Sequence, residues 1–429
     1  MTKTFVTATA LASLLALNIA PARADEISEL KAALQALQKR IDQLETKAQE
    51  VEDTNDRQTD QIAKVRSNVG AWVGNFTWKG DLRYRNENID QAYVVSRNRD
   101  RIRLRTGFVA KANDTLRVEV QLATSEGSDP RSSNQTLTGS NSRKPVYIDL
   151  AYGEWKPTNE LTLTFGKMKY PWVRPGSSVL FDGDVNPEGI ALGYNDGALF
   201  GSTFYTQLKE NATSAESSMG GGQVGYRFNI NASSKLMLAA GYFSHNKVRY
   251  QSPFYDGTSN FGNTLLNNTV GDLCYSTQYS ATTPKLCWGY QVAEGIAEYS
   301  TLVDNRPLSV YGDYTHNSAA KNGLDTAYSL GFMYGRASDP QTWEIGYYWQ
   351  RVQKDALFAQ YIDSDFGGGN SDAQGGVIKA AYAPARNWTL NLTYFMNETN
   401  LAAPVSVTGV GSVYNRQYKR LQLDANVKF

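Results

Sequence analysis

A two-residue alternation runs through most of this chain, and it leaves few folds open. The end of the chain shows it best. In YKRLQLDANVKF, residues 418–429, Leu421, Leu423, Ala425, Val427 and Phe429 fall on one side, and Arg420, Gln422, Asp424, Asn426 and Lys428 on the other. Successive side chains of a strand point to opposite faces, so this is a strand with one oily face and one wet face. Fifteen earlier segments alternate in the same way: 74–87, 98–112, 115–125, 146–156, 160–169, 188–195, 198–209, 220–230, 235–247, 288–300, 307–317, 323–336, 341–353, 373–383 and 387–398. The oily sets are clearest in Ile102, Leu104, Thr106 and Phe108; in Tyr328, Leu330, Phe332 and Tyr334; in Trp343, Ile345, Tyr347 and Trp349; and in Trp388, Leu390, Leu392 and Tyr394. A sheet with lipid outside and water inside reads as an all-β transmembrane barrel, here of 16 antiparallel strands.

The connections support this reading. Short ones at 113–114, 158–159, 196–197, 231–234, 305–307, 338–341 and 384–386 alternate with longer ones, the largest at about 248–287. Short turns on one rim and long loops on the other are the mark of a bacterial outer-membrane barrel. Trp155, Trp343 and Trp388 sit beside short turns, where an aromatic girdle belongs. Hydrophobic residues make up only 41% of the chain, and no stretch beyond the N-terminus approaches 18 apolar residues, which excludes a helical membrane protein. A soluble all-β protein would not need aromatics spread evenly over sixteen strands behind an export leader.

Residues 1–24 read as that leader: Lys3, an apolar run from Val6 to Ala20, then the small-residue cleavage site Ala22-Arg23-Ala24. Its removal leaves a net charge of −1, which speaks against a nucleic-acid partner. Residues 25–70 change period. Ile27, Leu34, Ile41, Ala48, Asn55, Ile62 and Val69 occupy a positions, and Leu30, Leu37, Leu44, Val51, Gln58 and Val65 occupy d positions. No Pro or Gly interrupts them before Gly70. This is an α-helical coiled coil, roughly 65 Å long at about 1.5 Å per residue. Asn55 and Gln58 form a polar layer that sets register. Ile at a with Leu at d favours a dimer on core packing alone. Arg40-Ile41-Asp42-Gln43-Leu44-Glu45 instead matches the Arg-h-x-x-h-Glu pattern of three-stranded coils, and a trimer is the favoured reading. Residues 71–429 form the barrel.

The only cysteines, Cys274 and Cys287, are expected to pair in an exported protein, stabilising a small loop by about 3 kcal/mol on the chain-entropy model. Two cysteines are too few for a Cys-only metal site, and nothing calls for a cofactor. The two histidines, His245 and His316, lie near strand ends. Ser244 next to His245 faces the opposite side, so no nucleophile–base pair forms and no enzymatic activity is expected.

Five stretches carry a family resemblance: RIRLRTGF at 101–108, QLATSEGSDPRSSNQTL at 121–137, IDLAY at 148–152, GKMKYPW at 166–172 and FDGDVNPEG at 181–189. With them the chain resembles the putative-porin family of Gram-negative bacteria that carries an N-terminal coiled coil. The resemblance implies a homotrimer of sixteen-stranded barrels in the outer membrane with the stalk in the periplasm. It also implies that the outer-membrane barrel assembly machinery reads the terminal Phe429.

Candidate functional residues follow from both lines. Arginine on the lipid side of a barrel costs about 2–4 kcal/mol at midplane. Arg83 and Arg85 of the first strand, and Arg101, Arg103 and Arg105 of the second, must therefore line the lumen, with Asp81 and Glu119 as possible neutralising partners. In trimeric sixteen-stranded porins, which this chain resembles, the loop after the fifth strand folds inward; the resemblance implies that the loop 170–187 narrows the pore through Arg174, Asp182, Asp184 and, at its end, Glu188. Arg420, Asp424 and Lys428 on the last strand are of mixed charge and are not expected to set selectivity. Together these point to a passive channel for small hydrophilic solutes with weak anion preference. The competing reading is a structural tether whose coiled coil reaches toward the cell wall.

Overall fold

The computed structural model describes residues 24–68, 73–127, 129–176, 178, 180–212, 215–257, 259–277 and 279–429. The leader read at 1–24 lies outside the described residues except for Ala24, and so does Val69 of the heptad stripe. The chain divides after Gly74.

Helix α1 runs Ala24–Asn68. Its threonines spend their hydroxyls inside the helix: Thr46, Thr54 and Thr59 each donate to the carbonyl four residues back. Leu34, Leu37, Ile41, Leu44, Val51 and Ile62 form an uncovered apolar stripe, each 49–62% exposed. Arg40, Glu45, Asn55 and Gln58 are exposed as well.

The second unit carries a separate small hairpin, Val405–Val407 with Gly411–Val413, in a loop, and is built on one closed antiparallel sheet of sixteen strands. They are β1 (Phe76–Gln91), β2 (Arg97–Lys111), β3 (Leu116–Thr124), β4 (Val146–Trp155), β5 (Leu161–Lys167), β6 (Glu188–Asn195), β7 (Leu199–Lys209), β8 (Ser217–Asn229), β9 (Lys235–Asn246), β10 (Tyr290–Val303), β11 (Arg306–Asn317), β12 (Thr326–Gly335), β13 (Trp343–Val352), β14 (Ala373–Ala385), β15 (Trp388–Thr399) and β16 (Arg416–Lys428). A two-residue strand, Gln135–Thr136, adds beside the upper part of β2. Closure is made by β1 on β16, in register from Asp81↔Lys428 to Gln91↔Tyr418. The backbones of Gly80 and Phe429 exchange hydrogen bonds of 2.8 and 3.0 Å at the seam. A closed sheet satisfies every ladder group internally, as lipid demands.

Turn chemistry explains the short-turn rim. Asn113 Oδ1 accepts from the amides of Thr115 and Leu116, and Asp196 Oδ1 from those of Ala198 and Leu199. Asp304, Asn305 and Asn387 take positive φ, which Asn and Asp tolerate better than other non-glycine residues. The outward faces carry the expected oily sets. Trp78, Trp155, Trp343, Trp388 and Phe429 lie exposed near this rim, and Tyr84, Tyr205, Tyr242 and Tyr314 form a second exposed belt further along the strands.

The inward face departs from a simple polar lining. Phe204, Met219, Phe243, Tyr290, Val292, Ala327 and Val352 point into the barrel. There they pack with Trp172, Leu180 and Phe181 of the loop 168–187 and with Leu357, Phe358 and Ile362 of the loop 353–372. Trp172 stacks on Phe204 at 4.9 Å and tilts against Phe243 at 4.8 Å. An apolar core therefore fills one side of the lumen and holds two loops inside it. In the largest loop, 247–289, Cys274 is bonded to Cys287.

A candidate pore constriction

The loop 168–187 crosses the lumen because its tip is tied to the far wall. The backbone of Val173 makes two bonds with the Gln223 amide, its N–H donating at 2.9 Å and its carbonyl accepting at 3.0 Å. Gly176 N donates to Glu298, and Ser178 Oγ donates to Asp313 at 2.7 Å. Gly176 is required there. Its φ is +44°, and a Cβ would stand 2.4 Å from the Tyr311 ring, a space and a conformation only glycine accepts.

The opposite wall is the arginine ladder. Register places Arg83 opposite Arg103, Arg85 opposite Arg101, and Asp81 opposite Arg105. All are turned inward, and each has an acidic partner. Arg103 and Arg105 share Asp81, each at 2.7 Å. Arg85 clamps Asp424 with two bonds of 2.7 and 2.8 Å and reaches Asp365 at 3.2 Å. Arg83 donates to Asn134 at 2.5 Å and lies 3.9 Å from Asp424. Arg101 stands between Glu87 and Glu126, at 3.6 and 3.5 Å. Glu87, fully buried, also takes Arg99 and Arg420. Glu119 serves Lys79 at 2.5 Å rather than the ladder.

The loop residues divide. Asp184 faces the ladder: one oxygen lies 3.7 Å from Arg105, and the other accepts from Ser133 N and Oγ at 3.1 and 3.0 Å. Burial works to raise its carboxyl, but Arg103, Arg83 and Arg105 outweigh it and hold it below the usual range. Asp182 turns the other way and ties the two inward loops together. It accepts from Ser364 N at 2.9 Å, while its own N–H donates to the Tyr361 carbonyl at 2.8 Å. Burial, then Asp363 and Asp184, push its carboxyl well above the usual range. Arg174 spends its guanidinium on the loop itself, donating to the Phe181 carbonyl at 2.8 Å and lying over Tyr170. Glu188 is not in the passage. It is the first residue of β6, on the outer face, 63% exposed and 2.8 Å from Lys167. It shares that face with Ile190 and Leu192, two and four residues on.

Four contributors lie outside the expected set. Asp365, in the loop 353–372, reaches Arg85 and Arg420 and accepts from Gln422 at 2.8 Å. Burial would raise its carboxyl, yet Arg420 and Arg85 hold it far below the usual range. Asp424 and Arg420 of β16 sit at the centre of the ladder, contrary to the peripheral role expected for that strand's mixed charges. They do so because closure brings β16 beside β1. The remaining contributor is Arg131, 4% exposed. It joins three loops, donating to the carbonyls of Gly369 and Ala359 at 2.8 and 3.3 Å and stacking 3.9 Å from the Phe261 ring.

A closed barrel with a loop held across its lumen against a charged wall is the decisive arrangement. Residues 90–264 match the family described as Putative porin. No curated protein matches the chain. Among solved structures, OprB of Pseudomonas putida is similar over 83% of this chain and 94% of its own, with a TM-score of 0.54 at 12% identity. A loop-deletion form of OmpT, an outer membrane protein of Vibrio cholerae, is similar over 83% and 100%, with a TM-score of 0.47 at 12% identity. A mutant porin of Rhodopseudomonas blastica is similar over 82% and 100%, with a TM-score of 0.43 at 11% identity. At such identity the OprB likeness speaks for the fold. Family match and barrel together support an outer-membrane channel rather than an enzyme.

Proposed function

We propose that this chain is an outer-membrane porin through which small hydrophilic solutes diffuse passively, with a weak preference for anions. The observation that carries the reading is Asp184, brought by an inward loop to face Arg83, Arg103 and Arg105 on the wall. Opposite charges paired along one side of a narrow passage align polar solutes and disfavour apolar ones, which cannot replace ordered water. The ladder counts seven arginines against six carboxylates. That small excess favours anions through the local potential. The short-turn rim, where the barrel begins and ends, faces the periplasm. The stripe on α1 pairs with two further copies, Arg40 and Glu45 bridging between helices over Ile41 and Leu44, with Asn55 and Gln58 setting register. Residues 1–24 direct export, and the assembly machinery engages Phe429. Purified protein in planar bilayers tests the channel: discrete ion-conducting steps are expected. An intact barrel without conductance would favour the tether reading, toward which the interlocking of the loops inside the lumen points.

A further inference from the structure

Where β5 ends at Lys167 and β6 begins at Glu188, a cavity of about 210 Å³ opens, bounded also by the two long loops 247–289 and 353–372. Four aromatic residues line it, Phe254, Tyr255, Phe358 and Tyr361. Phe254 and Phe358 lie 5.4 Å apart, and Phe358 and Tyr361 lie 5.6 Å apart. Two residues lining the cavity, Lys209 and Gln360, each carry a donor without an acceptor among the described residues. Lys209 Nζ stands 5.8 Å from the Phe254 ring and has no carboxylate partner among the described residues. The other lysine there, Lys167, is taken by Glu188 at 2.8 Å. Gln360 is 1% exposed. Its Oε1 accepts from Phe254 N at 2.9 Å, and this bond fixes which end of the amide is which. Its Nε2 has no partner among the described residues. A buried donor left without an acceptor is unfavourable, and an unpaired ammonium beside aromatic rings attracts an anion. The complementary ligand has a flat apolar body for the rings and a negatively charged acceptor for the two donors. The volume lies below the common range for ligand pockets, roughly 300–1,000 Å³, which limits that body to a single ring.

We propose that this cavity binds small single-ring aromatic carboxylates, with Lys209 and Gln360 Nε2 holding the carboxylate and Phe254, Phe358 and Tyr361 holding the ring. Its use as a stopping point for permeating solutes rests on the porin reading; binding itself does not. The test is ligand-observed NMR titration of the full-length protein in detergent micelles with benzoate, benzamide and acetate. Benzoate is expected to bind saturably, and benzamide and acetate at least tenfold more weakly. Lys209→Gln should weaken benzoate about tenfold and leave benzamide unchanged. Gln360→Glu keeps the acceptor for Phe254 N but places a second negative charge in the site, so it should abolish benzoate binding. A heat-dependent gel shift confirms that both variants keep the barrel. Benzoate binding no tighter than acetate, or unchanged in both folded variants, overturns the proposal. Conductance of the same preparation in KCl tests the porin reading separately: specific benzoate binding without conductance would support the site and remove the channel.

Discussion

Asp184→Asn isolates the charge that faces the arginine ladder. The substitution is nearly isosteric. Its amide oxygen can still accept from Ser133 N and Oγ, which lie 3.1 and 3.0 Å from the carboxylate. What is lost is one negative charge 3.7 Å from Arg105, so the arginine excess of the ladder rises from one to two. A unit charge acts on an ion about 5 Å away in water with roughly 0.8 kcal/mol, about fourfold for each ion and, because anions and cations shift in opposite senses, about 16-fold in their local balance before screening. The effect is electrostatic and should fade with salt, because the Debye length falls from about 10 Å at 0.1 M to about 3 Å at 1 M. Reversal potentials across a bilayer with a KCl gradient measure it. The anion-to-cation permeability ratio should rise about fivefold near 0.1 M and less than about twofold near 1 M. A shift toward cations, no shift, or a shift insensitive to salt would refute the claim that Asp184 borders the conducting path.

Further outcomes follow from the interlocked loops and the helix. The Asp182 carboxyl is held well above its usual range in the docked loops, so docking favours its protonated form. That contribution is full below the ordinary aspartate range and is lost as pH rises through the raised value. Conductance should therefore fall on mild acidification, and Asp182→Asn should flatten this response; a rise on acidification would contradict the sign. Arg131→Ala removes the guanidinium that joins three loops, at a cost of about 2–3 kcal/mol. Faster tryptic cleavage at Lys285 or Lys354 and a larger conductance are expected, and unchanged values of both would show that Arg131 is not the tie. Ile41→Asp with Leu44→Asp puts charge into the proposed three-stranded seam, where each lost apolar contact is worth about 1.5–3 kcal/mol. Chemical cross-linking should then yield monomers in place of trimers, with the barrel intact by heat-dependent gel mobility.

The barrel was legible because its signal is local and repeated. Each strand writes its own alternation, and Ile102 to Phe108 or Trp388 to Tyr394 needs no distant partner to be read. The arginine ladder was legible for the same reason, since lipid forbids Arg83 and Arg103 the outer face. Its neutralisation was not. Asp365 belongs to a long connection with no periodicity, and it meets Arg85, 280 residues away, only after that connection folds inward. Asp424 meets Arg85 across the closing seam, 339 residues away. The apolar filling left a trace that alternation alone does not flag: Phe204, Phe243, Val292 and Val352 occupy inward positions where a water-filled barrel would carry polar groups. Glu188 was misplaced for a simpler reason. The loop ends one residue before it, and the first residue of β6 already obeys the parity of the outer face.

The most direct test of the central claim, that solutes pass beside the contact between the inward loop and the arginine ladder, is thiol accessibility during conduction. The described residues contain no free cysteine, since Cys274 and Cys287 are bonded, so a thiol introduced by Arg105→Cys is the reactive one. The predicted result is that a charged, water-soluble methanethiosulfonate reduces the current in discrete steps in this variant and leaves the unsubstituted protein unaffected. Stoichiometric labelling of the variant, confirmed by mass, with no change in current would contradict the account.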